Sequence, residues 1–228
     1  MKVVLRLGGH VIWTESFNID VNLISEYSRV IREAIGKGHI VHVVIGGGPP
    51  SRAYIKVLTS LNVSNALKDY VGAMIARANA YLLASTLTDL AYIPVPSNFS
   101  EIMEGLAKGK IIVCGGLQPA QSTLAVASLI AELVRADYLV NATTVDGVYT
   151  EDPRKNPNAK RLEKVTITEL KKILGRRALP GTYELFDPLS LDILLRSKMK
   201  AIVMDGKDPN NLKRLLKGEH VGTLIIPQ

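Results

Sequence analysis

Three short segments of this 228-residue chain end in clustered glycines: Leu7-Gly8-Gly9, Ile45-Gly46-Gly47-Gly48 and Cys114-Gly115-Gly116. Each closes an apolar β-type run (KVVLRL, HIVHVVI, KIIVC). A glycine there carries no Cβ, so backbone N–H groups can approach an oxyanion closely. The N-terminus of a following helix adds the positive end of its dipole. A single pair of this kind merely turns the chain. Three of them at strand ends form a rim able to cradle several phosphates. Two arginines stand beside the turns. Arg6 lies in the first apolar run, where an unpaired charge is costly to bury. Arg52 begins the helix after the triple glycine. A guanidinium beside a phosphate turn is suited to stabilising phosphoryl oxygens. Phosphoryl transfer rests almost wholly on positioning and charge neutralisation.

Other chemistries find little support. There is no GxxxxGK[ST] run, so no P-loop. The triple glycine continues as Pro49-Pro50-Ser51-Arg52, which breaks the dinucleotide pattern and argues against a nicotinamide oxidoreductase. No GxSxG elbow or Ser-His-Asp set is present. The single Cys114 excludes an internal disulfide, and His10, His39, His42 and His220 are too scattered for a zinc site, so no protein metal ligands are expected. One cysteine suits a reducing compartment. The N-terminal apolar run is too short for a secretory signal. The longest apolar stretch, LAVASLIAELV, is about half of a membrane span. The expectation is a soluble cytoplasmic protein without a membrane partner.

The net charge is +7. Residues 151–180 hold nine basic and four acidic side chains, so most of the excess sits in one segment. Such a field suits an anionic partner, either nucleic acid or a phosphorylated small molecule. A solvated loop and helix face is the alternative. Aromatic residues are only 5% of the chain and no RNP-like run occurs, which argues against nucleic acid.

The elements that must position these residues alternate. After KVVLRL, Asp20 caps a helix with an apolar stripe of Ile24, Tyr27, Ile31 and Ala34/Ile35. HIVHVVI leads into a helix from about Ser51. Another starts near Ser64, with Leu67, Val71, Met74/Ile75, Ala78 and Leu82 as its stripe. AYIPVP reads as an edge strand, SEIMEGLA as a helix capped by Ser100, and KIIVC as a strand. Residues from Ser122 to Val134 are apolar nearly all round and predict a buried helix. YLVNAT is a strand, Asp187-Pro188 opens a helix, AIVMD is a strand, Pro209 starts a helix and VGTLIIP closes as a strand. This order predicts an α/β fold, a three-layer αβα sandwich with a mainly parallel central sheet. A single domain over 1–228 is expected, with a soft junction near residue 141.

KVVLRLGGHVI, VVIGGGPPSRAYI, LKDYVGAMIARANAYLL, VCGGLQPAQST and ATTVDGVYTEDPRKNPNAK resemble successive motifs of the amino-acid kinase superfamily. More narrowly they are similar to the short archaeal-type uridylate (UMP) kinases, with KDYVG, RANA and GGLQPAQST the specific part. The resemblance implies transfer of the γ-phosphoryl of ATP to UMP with Mg²⁺, in a cytoplasmic homohexamer, with a phosphate-acceptor lobe over about 1–140 and an ATP-binding lobe over about 141–228. It places Arg6 and Arg52 as catalytic residues. It sets Gly9, His10, Gly48 and Arg52 at the ATP phosphates, and Thr143, Tyr149 and Asp152 at the adenosine. It gives Gly47, Asp69 and the run Leu117, Gln118, Pro119, Ala120, Gln121, Ser122, Thr123 to UMP. The residue types suit these roles: Ser122 and Thr123 offer hydroxyls and helix-terminal amides, and Gln118 and Gln121 carry the donor and acceptor that a uracil edge needs. Many relatives carry Lys where Arg6 stands and Gly at Ala120, and several carry Asp at Leu124. The competing expectations are another small-molecule kinase of the superfamily, or a non-catalytic nucleotide-binding protein on the same scaffold.

Overall fold

The structure, a computed structural model, describes residues 1–14, 16–151, 156, 158–175 and 185–228. Among the described residues seven strands form one sheet: β1 (Lys2–Leu7), β2 (Ile40–Ile45), β3 (Val113–Cys114), β4 (Tyr138–Thr143), β5 (Lys164–Thr166), β6 (Ala201–Asp205) and β7 (Thr223–Ile226). Their spatial order is β3-β2-β1-β4-β6-β7-β5. Every pairing is parallel except β6 with β7. The expected αβα architecture with a mainly parallel sheet is what the chain adopts.

The sheet interior explains the runs of Val, Leu and Ile. Val3, Val4, Leu5, Val43, Val44, Leu139 and Val140 are fully buried, as strands covered by helices on both faces must be. Around them lie α1 (Gly9–Ile12), α2 (Val21–Gly36), α3 (Gly48–Ser60), α4 (Asn65–Ala84), α5 (Phe99–Ala107), α6 (Thr123–Leu133), α7 (Ile167–Gly175), α8 (Pro188–Arg196) and α9 (Asn210–Leu216). The caps follow local chemistry. Asp20, Ser64, Ser122 and Asp187 each accept from the backbone N–H three residues on.

Three local expectations need correcting. AYIPVP makes a single bridge, Ala91 to Ile111, and no strand, because Pro94 and Pro96 have no N–H to continue a ladder. KIIVC shortens to Val113–Cys114, which pair with Val43 and Val44 of β2, while Ile111 bridges to Ala91. The cap of α5 is Asn98, not Ser100: its side chain accepts from Glu101 N, and the Glu101 carboxylate returns to Ser97 N.

The fourth correction matters more for function. Leu67 and Met74, expected to face the core from α4, are 57% and 49% exposed. The face turned inward is Ala73, Ala76, Asn79, Ala80, Leu83 and Ala84. Small residues are needed there because the glycine turns press against this helix. A Cβ on Gly115 would lie 2.3 Å from Ala76 C, and one on Gly116 would lie 2.7 Å from Ala73 Cα.

Candidate active site

Four parallel strands bring their carboxyl ends to one rim, in the order β3, β2, β1, β4. The chain winds from β1 out to β3 on one side and then crosses to β4 on the other. A doubly wound sheet binds ligands at such a switch point. The three glycine turns and the end of β4 therefore share one edge.

The turns interlock. Gly46 N donates to Leu7 O, and Gly8 N donates to Ala142 O, each carrying the ladder one step past its strand. Gly9 and Gly48 are in backbone contact: a Cβ on Gly9 would meet Gly48 N at 2.2 Å. Gly48 itself has φ +65, a left-handed conformation in which glycine is unstrained. The next N–H groups, those of Gly9, Gly47 and Gly48, have no acceptor among the described residues.

Arg6 is held between the first two turns. Its Nη1 donates to Asn141 Oδ1 across the β1–β4 pairing, at 3.3 Å, and its Nη2 lies against Gly46. Its Nε is buried without a partner. Asn141 is fixed in turn by donating to Leu185 O at 2.8 Å. Arg52 is exposed at the start of the second turn of α3. Neither arginine forms an ion pair with a carboxylate among the described residues. His10 sits beside them on α1. Partial burial, with the positive charges of Arg52 and Arg6, holds its imidazole below the ordinary histidine range, so it is neutral at physiological pH. Arg6, His10 and Arg52 thus converge on Gly9, Gly46, Gly47 and Gly48.

The third turn is held by side chains of α4. Asp69 on α4 reaches across to accept from Ala120 N at 2.9 Å, while Arg77 Nη1 donates to Gly116 O. Ala120 takes a left-handed φ of 59. Leu117, Gln118, Pro119 and Gln121 complete this turn, and Gln121 Oε1 is buried without a partner. Ser122 accepts from Ala125 N as the α6 cap and donates to Asp187 Oδ2 at 2.6 Å. Thr123 opens α6 behind it.

On the other side, Thr143 ends β4, fully buried, with its hydroxyl unpartnered. Tyr149 donates to Asp146, which also pairs with Arg161. Asp152 lies outside the described residues, as do Arg154, Lys155, Arg176 and Arg177 of the basic segment. Among the described residues no group of three or more His, Cys, Asp or Glu side chains is placed to hold a metal ion. Cys114 is buried and its thiol is pushed up to about 12, so it is unreactive at neutral pH.

Sequence reasoning missed four residues here. Asn79 and Asn141 are buried amides in apolar elements, and that incongruity is a legible signal. Asp187 was read only as a helix cap, and Arg77 carried no mark beyond its place in a motif.

Residues 1–205 match the amino acid kinase family. The chain is 43% identical over 229 residues to a uridylate kinase of Metallosphaera sedula, spanning the whole of both chains. It is 40% identical over 227 residues to one from Methanobrevibacter smithii, covering 99% of each. This chain belongs to the amino acid kinase family. The crystal structure of a uridylate kinase from Archaeoglobus fulgidus, 40% identical, matches with a TM-score of 0.85 over 99% of this chain and 100% of that one. A UMP kinase of Bacillus anthracis, 23% identical, shares the fold at a TM-score of 0.82. Among the described residues, no helix of this family member is long and apolar enough to cross a membrane.

Proposed function

We infer that the chain is a uridylate kinase, transferring the γ-phosphoryl of ATP to UMP to give UDP and ADP. One observation carries the reading. Interlocked glycine turns with two arginines free of carboxylates stand beside an acceptor turn anchored by Asp69, in a chain that aligns end to end with uridylate kinases.

In this reading an oxygen of the UMP phosphate attacks the γ-phosphorus. The bond to that oxygen forms as the bond to the ADP oxygen breaks. A phosphate monoester is already largely ionised at neutral pH, with a second pKa of about 6, so the nucleophile needs no base. The work left to the protein is alignment and charge neutralisation. Arg6 and Arg52 supply fixed positive charge, and the Gly9, Gly47 and Gly48 amides supply donors. His10, neutral, offers one donor without adding charge. The acceptor lies along Gly47, Asp69 and residues 117–123. The free Asp69 oxygen takes the ribose hydroxyls, and Gln118 and Gln121 meet the uracil. ATP lies towards Thr143, Tyr149 and Asp152. The acceptor lobe is thus about 1–140 and the ATP lobe about 141–228.

A kinase of this family works with a divalent cation on its nucleotide. Mg²⁺ fits, because it keeps several waters and is bound through phosphates with few carboxylates. Asp187, the cap of α8, brings a carboxylate to the N-terminus of α6 through Ser122 and stands on that side of the rim.

The chain also assembles with itself. α3 buries no residue within the chain, and Tyr54 and Val57 on α3, Leu61 at its C-cap, and Leu67, Tyr70 and Met74 on α4 are 47–66% exposed. A contiguous apolar face of this kind on two packed helices suits a second copy of the chain, and the resemblance extends this to a hexamer. Light scattering gives the mass directly.

One coupled assay tests the activity: ATP and Mg²⁺ with UMP, CMP, a carbamate, an acylated amino acid and an isoprenoid phosphate in parallel. UDP formation is expected. Turnover of another acceptor without UMP, or ATP binding without any product, overturns the reading.

A further inference from the structure

Asn79 is a polar residue in the buried, otherwise small and apolar face of α4, only 3% exposed. Its amide is almost fully used. Nδ2 donates to Gly46 O at 2.8 Å and to Gly47 O at 3.1 Å. Oδ1 accepts from Trp13 Nε1 at 3.0 Å. Trp13 is itself tied to the first turn, its N–H donating to Gly9 O. A hydrogen-bonded path therefore runs from Gly9 through Trp13 and Asn79 to Gly46 and Gly47.

The peptide bond is planar and trans, so a carbonyl and the N–H of the next residue point in opposite directions. Drawing Gly46 O towards α4 turns the Gly47 N–H away from it. Drawing Gly47 O the same way turns the Gly48 N–H away too. These are two of the amides with no acceptor among the described residues. The indole donor matters as well: it fixes which end of the Asn79 amide faces the carbonyls. A carboxamide rotated by half a turn would present oxygen to both and push the turn out of place.

We propose that Asn79 is a positioning residue for phosphoryl transfer. It orients the Gly47 and Gly48 amides as a preformed donor pair for charge developing on the transferring phosphoryl group, and Trp13 holds it in that orientation. The inference rests on the kinase reading above. Pre-aligned donors act in the transition state, so their misalignment falls on kcat before KM.

The test compares Asn79→Asp and Trp13→Phe with the parent protein. Asn79→Asp keeps the acceptor for Trp13 but sets an oxygen against the two glycine carbonyls. Rates are measured well below each Tm and normalised to ATP-binding sites, which removes any unfolded fraction. For Asn79→Asp, kcat per site falls about 100-fold with KM for UMP within threefold, as loss of an oxyanion donor does. Trp13→Phe, a gentler change that keeps the packing, lowers kcat about fivefold, the effect of one neutral hydrogen bond. A folded Asn79→Asp protein with kcat within threefold of the parent overturns the proposal. If that variant does not fold, parental kcat in Trp13→Phe overturns it instead. A parent protein that makes no UDP defeats the kinase reading itself, a distinguishable result.

Discussion

Gly9→Ala probes the interlocked turns most directly. The added Cβ would lie 2.2 Å from Gly48 N, 2.5 Å from Gly48 Cα and 2.7 Å from Gly46 O. Ordinary contact for a Cβ begins at 3.4 Å, so the turns must part by about 1 Å. All three obstructing atoms are backbone, and no rotamer can relieve them. Gly9 does not have a left-handed φ, so alanine fits its own backbone and the contact alone carries the effect. Displacing a catalytic group by about 1 Å costs on the order of 100-fold in rate, and here the donors on both turns move. Steady-state kinetics with ATP, Mg²⁺ and UMP should show that loss, with the rise in KM confined to ATP. Gly36→Ala serves as the control, since its Cβ would meet nothing within 4 Å at the end of α2. Gly9→Ala with kcat and KM for ATP within threefold of the parent would refute the phosphate role of the interlocked turns.

In the proposed reading Arg52→Ala removes a charge-assisted phosphate contact and should lower kcat/KM at least about tenfold; unchanged kinetics in the same assay would retire its role. Asp69→Asn can still accept from Ala120 N through its amide oxygen, so the acceptor turn stays in place while the charge is lost. KM for UMP should rise about fivefold, the difference between a charged and a neutral hydrogen bond, with KM for ATP unchanged; equal shifts in both would move Asp69 off the acceptor. His42 is a buried residue of β2, its Nδ1 accepting from Ile112 N. Burial, and secondarily the charge of Lys2, pushes it down to about 4. The unfolded chain then binds the proton more readily, so stability is complete above about pH 6.5 and lost as pH falls towards 4, by about 3 kcal/mol in all. Thermal melts from pH 7 to 4.5 should show a flatter profile for His42→Gln, and identical slopes would dismiss His42 as the group.

The fold was legible wherever the chain follows local rules. Asp20, Ser64 and Asp187 cap helices because a short acceptor before an apolar periodic run has few other uses. The three glycine turns were readable because a Gly pair after a β-branched run marks a strand end. Periodicity failed on α4. It assigns large apolar residues to the core, whereas this helix buries alanines, since the Gly115 and Gly116 backbones leave no room for anything larger. The third-turn contacts, Asp69 to Ala120 and Ser122 to Asp187, link residues 51 and 65 positions apart, and no local pattern encodes them.

The inversion of α4 also explains how one helix serves two purposes. Its inward face is set by the rim: Ala73 and Ala76 admit the third turn, Asn79 holds the second, and Asp69 and Arg77 flank them. The large side chains are thereby displaced outward, where Leu67, Tyr70 and Met74 stand exposed beside Tyr54 and Val57 of α3. A helix that must lie close to backbone cannot bury its bulk against that backbone, so the bulk calls for another partner. Self-association through this face would clamp α4 from outside. Its position sets both the phosphate donors and the acceptor turn, so loosening that clamp should disturb ATP and UMP together. That separates it from the single-ligand effects of Gly9→Ala and Asp69→Asn. A paired Tyr70→Glu, Met74→Glu variant, compared with the parent by light scattering and by KM for each nucleotide, decides it. Dissociation with both KM values unchanged would show that α4 is held by the chain alone.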